Sequence, residues 1–188
     1  MTIKFLGVTL LTAGLAVFGA LAIQAQDDTK GSSDRMKHGD MSADSRWMME
    51  SAQGGMAEVE LGNLAKDHAS SDAARTFGQH MVDDHSKAND ELKALAAQKN
   101  VTLPSAVDAK DQAMMDKLSA MKGAAFDKAY IRDMIADHKK DIAEFQKEAD
   151  SGKDPDVKAW AAKTLPTLQD HLKMAMDAQK QMLNGPSK

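Results

Sequence analysis

The chain has 188 residues, a formal net charge of −4 and no cysteine. This length fits one domain with additional terminal segments. The mildly acidic balance argues against nonspecific binding to nucleic acid. Without cysteine the chain forms no disulfide, so the domain must be held together by packing.

The amino terminus has the pattern of a secretory signal peptide. Lys4 supplies a positive charge, and residues 5–23 form an uncharged, mostly apolar run. Ala20 and Ala22, on either side of Leu21, form a small-x-small cleavage site, and Ala25 is a second candidate. The pattern predicts a signal peptide over 1–25 and a periplasmic protein. A run of this length could also span a bilayer, so retention as a membrane anchor is the alternative.

A polar stretch over residues 26–44 follows and predicts a flexible linker. It contains Met36, His38 and Met41, side chains that can bind soft or borderline metal ions. We interpret them as incidental residues of a disordered segment.

Two long helices are predicted next. The first spans residues 45–68 with Ser45 as its N-cap, and the second spans 72–99. Asn100 suits the end of the second helix, and Pro104 follows it closely.

Residues 101–123 interrupt the helical pattern and hold only a short helical motif around Met114, Met115 and Leu118. Antiparallel neighbours take short loops, so a connection this long is unneeded between them. It fits a crossover along the length of a bundle, as in ferritin-like topologies.

The third long helix is predicted over residues 124–150. The fourth long helix is predicted to begin with Asp154 as its N-cap and Pro155 as its first residue. It is predicted to end at residues 184–186. Pro166 lies within that fourth helix and should kink it.

After the signal segment, no stretch alternates as a strand does, and Gly-rich phosphate loops and Ser-centred nucleophile motifs are absent. The sequence therefore predicts an all-α fold: a ferritin-like four-helix bundle over residues 45–185, with a long crossover between the second and third long helices. Whether the protein is an enzyme stays open: the missing nucleophile motifs argue against a hydrolase, and an oxidase or peroxidase would require a bound metal.

One motif occurs twice. Residues 81–87 and 134–140 share Met, a β-branched residue, any residue, Asp, His, any residue and Lys, and an aromatic residue (Phe77 or Tyr130) lies four positions before each. We interpret the two copies as related helices that face each other in the bundle.

Helices rise by about 1.5 Å per residue, so counting residues from the predicted turns gives the depth of each side chain in the bundle. Four polar residues fall within about one helical turn of the same layer: Glu58, His85, His138 and His171. The aspartates that precede two of the histidines could ligate a metal or orient the imidazoles. The candidate metal ligands are Glu58, His85, His138, His171, Asp84 and Asp137.

Two interpretations of this layer stay open. The first is a site for iron, zinc, copper or manganese, in a protein that buffers or senses a metal. The second is a structural polar layer in a metal-free module of the cell envelope that contacts another protein.

Other polar and sulphur-containing residues are interpreted more simply. Glu60 and His80 are expected on the surface, and Met81, Met134 and Met176 are expected in the core. Met114 and Met115 are also expected to pack, with a soft copper site as the alternative.

From residue 52 onward the sequence resembles domain-of-unknown-function family 4142, exported bacterial proteins with a predicted ferritin-like bundle. The segments that carry the resemblance are 52–62, 81–89, 123–130, 137–138 and 164–172. The resemblance implies the fold and an envelope location but no established activity. The Glu-x-x-His motifs of di-iron proteins are absent, which favours a mononuclear or vestigial site.

Overall fold

The structure is a computed structural model that describes residues 41–184. The predicted signal peptide over 1–25 and most of the predicted linker, including Met36 and His38, lie outside the described residues and stay predictions. Within 41–184 no helix is both long enough and apolar enough to cross a membrane.

Five helices and no strands make up this part of the chain. They are α1 (Ala43–His68), α2 (Asp72–Gln98), α3 (Ala109–Ser119), α4 (Gly123–Ser151) and α5 (Pro155–Asn184). The four long helices match the predicted ones to within two residues at the ends that were predicted. The short helix α3 lies in the predicted crossover.

The topology is that of a ferritin-like bundle. Helix α1 packs against α2 and α4, α5 packs against α4 and α2, and the pair α2 and α4 lies on the diagonal. Phe77 of α2 meets Tyr130 of α4, and His85, further along α2, meets His138, further along α4. The diagonal helices therefore run parallel, which requires the long connection through α3. The predicted crossover is confirmed.

The hydrophobic core has two clusters with a polar layer between them. On α2, Phe77 and Met81 belong to one cluster and Leu92 to the other. His85 lies between them along the helix and is itself buried. Burying a polar layer in this way requires that its groups bind one another or a ligand.

The start of α1 differs from the prediction. The Ser42 hydroxyl accepts a hydrogen bond from the Ser45 backbone N–H at 3.0 Å, so Ser42 is the N-cap and Ser45 lies inside the helix. The last two residues of the predicted linker are thus helical. The reason is tertiary, because Asp44 is drawn into the bundle by contacts with a distant turn.

Two buried aspartates hold the two hairpin turns of the bundle. Asp44 of α1 accepts hydrogen bonds of 3.0 and 2.6 Å from the backbone N–H groups of residues 153–154, in the turn between α4 and α5. Asp127 of α4 accepts bonds from the Ser70 N–H (3.0 Å), the Ser70 hydroxyl (2.7 Å) and the Ser71 N–H (2.8 Å). Each hairpin is therefore tied to the other one.

The Asp127→Ala variant is expected to lose about 2 kcal/mol of unfolding free energy, because three donors lose their acceptor at a site that is 3% exposed. Urea unfolding followed by circular dichroism measures the change. Asp90→Ala, at an exposed aspartate of α2, is the control and should change stability by less than about 0.5 kcal/mol. Equal effects of the two variants would contradict this role of Asp127.

The start of α5 and the end of α2 agree with the sequence prediction. Asp154 accepts bonds from the backbone N–H groups of Asp156 (2.9 Å) and Val157 (3.2 Å), and Pro155 is the first residue of α5. Asn100, just after α2, has a φ of 56°, a left-handed conformation that asparagine adopts readily. Pro166 lies inside α5, as predicted.

Candidate metal centre

One polar side chain from each of the four long helices meets in the layer between the two hydrophobic clusters. These side chains are Glu58 (2% exposed), His85 (6%), His138 (0%) and His171 (1%). The parallel arrangement of α2 and α4 brings the two copies of the repeated motif to the same depth. The structure therefore places together the four residues that helical counting assigned to one layer.

Glu58 orients His85. The Nδ1–H of His85 donates to Glu58 Oε2 at 2.9 Å, which leaves His85 Nε2 buried and without a hydrogen-bond partner. With its hydrogen on Nδ1, the neutral ring carries a lone pair on Nε2.

His138 is oriented by its own helix. Its Nδ1 lies 3.0 Å from the carbonyl oxygen of Met134, and a carbonyl only accepts, so Nδ1 carries the hydrogen. Glu58 Oε1 is also close to this nitrogen, at 3.3 Å, but the hydrogen points to Met134 and Oε1 has no donor.

His171 is oriented by Asp84. The Nε2–H of His171 donates to Asp84 Oδ2 at 2.9 Å, so the lone pair of its neutral ring is on Nδ1. That Nδ1 lies 3.4 Å from Nε2 of His138, which also carries a lone pair when its ring is neutral. Two acceptors that face each other at this distance need a shared proton or a cation between them.

The three imidazoles have the spacing of metal ligands. One ring nitrogen from each of His85, His138 and His171 lies within 4.8 Å of the others. Two nitrogens bound to one tetrahedral ion at 2.0–2.1 Å are about 3.3–3.4 Å apart. The 3.4 Å between His138 and His171 therefore matches a metal-binding geometry before any rearrangement.

The charges of the cluster are set by burial and by mutual contact. Burial opposes ionisation of Glu58, but His85 and His138 lower its pKa to about 2. Burial also disfavours protonated His85, and the Glu58 carboxylate outweighs that effect and raises the His85 pKa. For His171, burial prevails over the Asp84 hydrogen bond, and its pKa falls to about 4. At neutral pH, His171 is thus an available nitrogen ligand.

Asp137 does not join the histidine nitrogens. It groups instead with Glu58 and with Asp141, each offering one carboxylate oxygen within 4.8 Å of the others. Burial and the Glu58 charge raise the pKa of Asp137, and the same two causes, with the Asp137 charge, raise that of Asp141 to about 8. Sequence reasoning missed Asp141, although its position one helical turn after Asp137 indicates the same face of α4.

A cavity of about 270 Å³ adjoins this layer. Its lining includes Glu58, His85, Asp137, Asp141, Trp47 and Trp160. The side chains of Asp137 and Asp141 retain 16% and 19% exposure, so the carboxylate end of the cavity reaches solvent. The polar layer is therefore accessible to small ions.

The other sequence expectations have mixed outcomes. Glu60 and His80 are exposed, as interpreted. Met81 and Met134 are fully buried, and Met114 and Met115 are half-buried against the core. Met176 was expected in the core and is 50% exposed, because Ala175, one position earlier on α5, faces inward instead.

The fold and the layer together define a ferritin-like four-helix bundle with a buried carboxylate–histidine cluster. The chain matches the sequence model described as "Domain of unknown function (DUF4142)" over residues 29–178, and it belongs to that family.

A solved structure supports the fold. It is titled "Crystal structure of DUF305 fragment from Deinococcus radiodurans" and is 12% identical to the chain, with a TM-score of 0.64. The likeness covers 73% of this chain and 95% of the other. No curated protein matches the chain in sequence.

Proposed function

We propose that this protein binds a transition metal ion in the bundle core through His85, His138 and His171. The supporting observation is the hydrogen bonding of the three imidazole rings, which engages one of the two nitrogens of each ring in orienting it. One nitrogen of each ring is held by an acceptor: Glu58, the Met134 carbonyl or Asp84. The other nitrogen of each ring carries a lone pair when that ring is neutral.

Glu58 and Asp84 therefore act as orienting residues in this proposal. A carboxylate that accepts from the second nitrogen of a ligating histidine fixes the ring and makes it a stronger ligand. The sequence left open whether Asp84 ligates or orients, and its contact with His171 favours orientation.

Three imidazole nitrogens suit zinc, copper or iron and suit manganese less. Three histidines leave a fourth coordination position open on a tetrahedral ion. The sequence has no Glu-x-x-His motif, which di-iron bundles use to hold their two metal ions. We therefore propose a mononuclear site. Together with the predicted signal peptide over 1–25, this site suggests a periplasmic protein that buffers or senses a metal.

Elemental analysis of protein purified without an affinity tag tests the proposal. The wild type is expected to carry about one metal ion per chain, and the His85→Ala/His138→Ala variant none. His80→Ala removes an exposed histidine of α2 and should keep the metal.

If the wild type takes up no first-row metal and the double variant is merely less stable, the layer is structural. The alternative function, a metal-free module of the envelope that contacts a protein partner, would then be preferred.

The affinity for the metal is expected to rise with pH. Glu58 raises the pKa of His85 above its ordinary value of 6.5, so below that raised pKa the ion must displace a proton from His85. For each pH unit below the His85 pKa, the affinity for the metal is expected to fall by about tenfold. Glu58→Gln removes the charge and should move this dependence to lower pH. Zinc titrations between pH 5.5 and 8.5 measure both curves, and a flat wild-type curve would contradict the assignment.

A further inference from the structure

A second group of ligand atoms lies beside the histidines. Glu58 of α1 and Asp137 and Asp141 of α4 each place a carboxylate oxygen within 4.8 Å of the other two. Asp137 and Asp141 are one turn apart on the same face of α4, and Glu58 approaches them from the neighbouring helix. All three line the cavity of about 270 Å³.

Repulsion among three carboxylates is poorly compensated by the side chains around them. The lysines that approach the aspartates within the described part of the chain are Lys110 and Lys140. Lys110 Nζ is 3.8 Å from Asp137, Lys140 Nζ is 3.8 Å from Asp141, and the two lysine side chains are 62% and 55% exposed. Exposed ion pairs at this distance contribute little, so both lysines can be displaced by a cation.

Acidic clusters are common on protein surfaces, but Glu58 distinguishes this one. Its side chain is 2% exposed, and its Oε1 atom is buried without a hydrogen-bond donor. A buried, ionised oxygen without a donor is costly unless a cation binds it. Glu58 Oε2 is already held by His85, so Oε1 is the oxygen left for a cation, and it lies beside α4, 3.3 Å from Nδ1 of His138.

We infer that Glu58, Asp137 and Asp141 form a second cation site, which takes a hard divalent ion of the Ca²⁺ or Mn²⁺ class. Oxygen ligands select such ions, and nitrogen ligands select the softer transition metals. Oxygens on opposite sides of a Ca²⁺ ion, at 2.3–2.6 Å each, are about 4.6–5.2 Å apart, which accommodates the observed spread. The cavity has room for water molecules to complete the coordination.

The site shares Glu58 with the proposed histidine site but does not rest on it. Glu58 Oε2 would continue to orient His85, and Oε1 would bind the second ion.

Manganese binding, followed by electron paramagnetic resonance and calorimetry, tests the inference. The wild type, first given one equivalent of zinc, is expected to bind about one Mn²⁺ ion, and Ca²⁺ should compete for it. In Asp137→Asn/Asp141→Asn the affinity for Mn²⁺ should fall by at least about tenfold, since two anionic ligands are lost. Asp90→Asn/Asp170→Asn replaces the same number of aspartates at exposed positions and should bind Mn²⁺ as the wild type does.

Two further measurements keep the outcomes separate. Thermal unfolding without metal should show Asp137→Asn/Asp141→Asn folded and at least as stable as the wild type, because the carboxylates no longer repel. Should it not fold, Asp141→Asn alone takes its place. His171→Ala should lose zinc and keep Mn²⁺.

Unchanged Mn²⁺ binding in the asparagine variant, or no Mn²⁺ binding to the wild type, overturns the second site. Zinc binding without Mn²⁺ binding leaves the proposed function standing. Mn²⁺ binding without zinc binding removes the proposed function and leaves this site.

Discussion

A zinc concentration about one hundred times the dissociation constant is expected to raise the free energy of unfolding at pH 7 by about 2.7 kcal/mol. The proposed ligands His85, His138 and His171 come from three different helices, so the unfolded chain does not present them together. Because zinc binds the folded state and not the unfolded state, its binding raises the free energy of unfolding. Urea unfolding with zinc and with a chelator measures the difference.

Two variants separate ligation from orientation. His171→Ala removes a proposed nitrogen ligand and is expected to abolish the gain from zinc. Asp84→Ala removes only the carboxylate that holds the ring of His171, 2.9 Å from its Nε2, and should weaken zinc affinity by about 10–100-fold without abolishing binding. The same gain from zinc in His171→Ala as in the wild type would show that zinc binds elsewhere.

Replacing Gly62 by alanine is expected to destabilise the bundle by about 2 kcal/mol, whereas Gly54→Ala should stabilise it by about 0.5–1 kcal/mol. Both glycines lie inside α1, where alanine favours the helix. A Cβ atom on Gly62 would lie 2.6 Å from the Gly78 carbonyl oxygen of α2, and no other atom lies within 4 Å of one on Gly54. The backbone of α2 cannot give way as a flexible side chain would.

Urea unfolding of the two variants gives a difference of about 3 kcal/mol, since the two effects have opposite signs. Gly62→Ala should also weaken metal binding, because Glu58 lies about one turn earlier on α1 and moves with it. Equal stabilisation by both substitutions would mean that α1 and α2 separate freely and that their close approach is not needed.

The sequence was sufficient for the helices because their signals are local. Asp154 and Pro155 start α5 through contacts within a few residues, and the apolar spacing marks the buried face. The length of the segment between Gln98 and Gly123 was sufficient to predict parallel diagonal helices, since short loops would have made them antiparallel.

The errors at Ser45 and Met176 have tertiary causes. The cap moved to Ser42 because Asp44 binds a turn that is distant in sequence. Met176 turned outward because the angular position of a residue on α5 depends on which neighbours α5 packs against.

For the candidate site, the sequence by itself determined which residues share a layer: Glu58, His85, His138 and His171 follow from helical rise and a repeated motif. Only the tertiary structure decided which groups each side chain contacts. Whether Asp84 ligates or orients, and whether Asp137 joins the histidines or Asp141, depends on side-chain directions and on distances of a few ångströms between different helices. Helical periodicity specifies a face and a depth, but hydrogen-bond geometry between helices arises only when they pack.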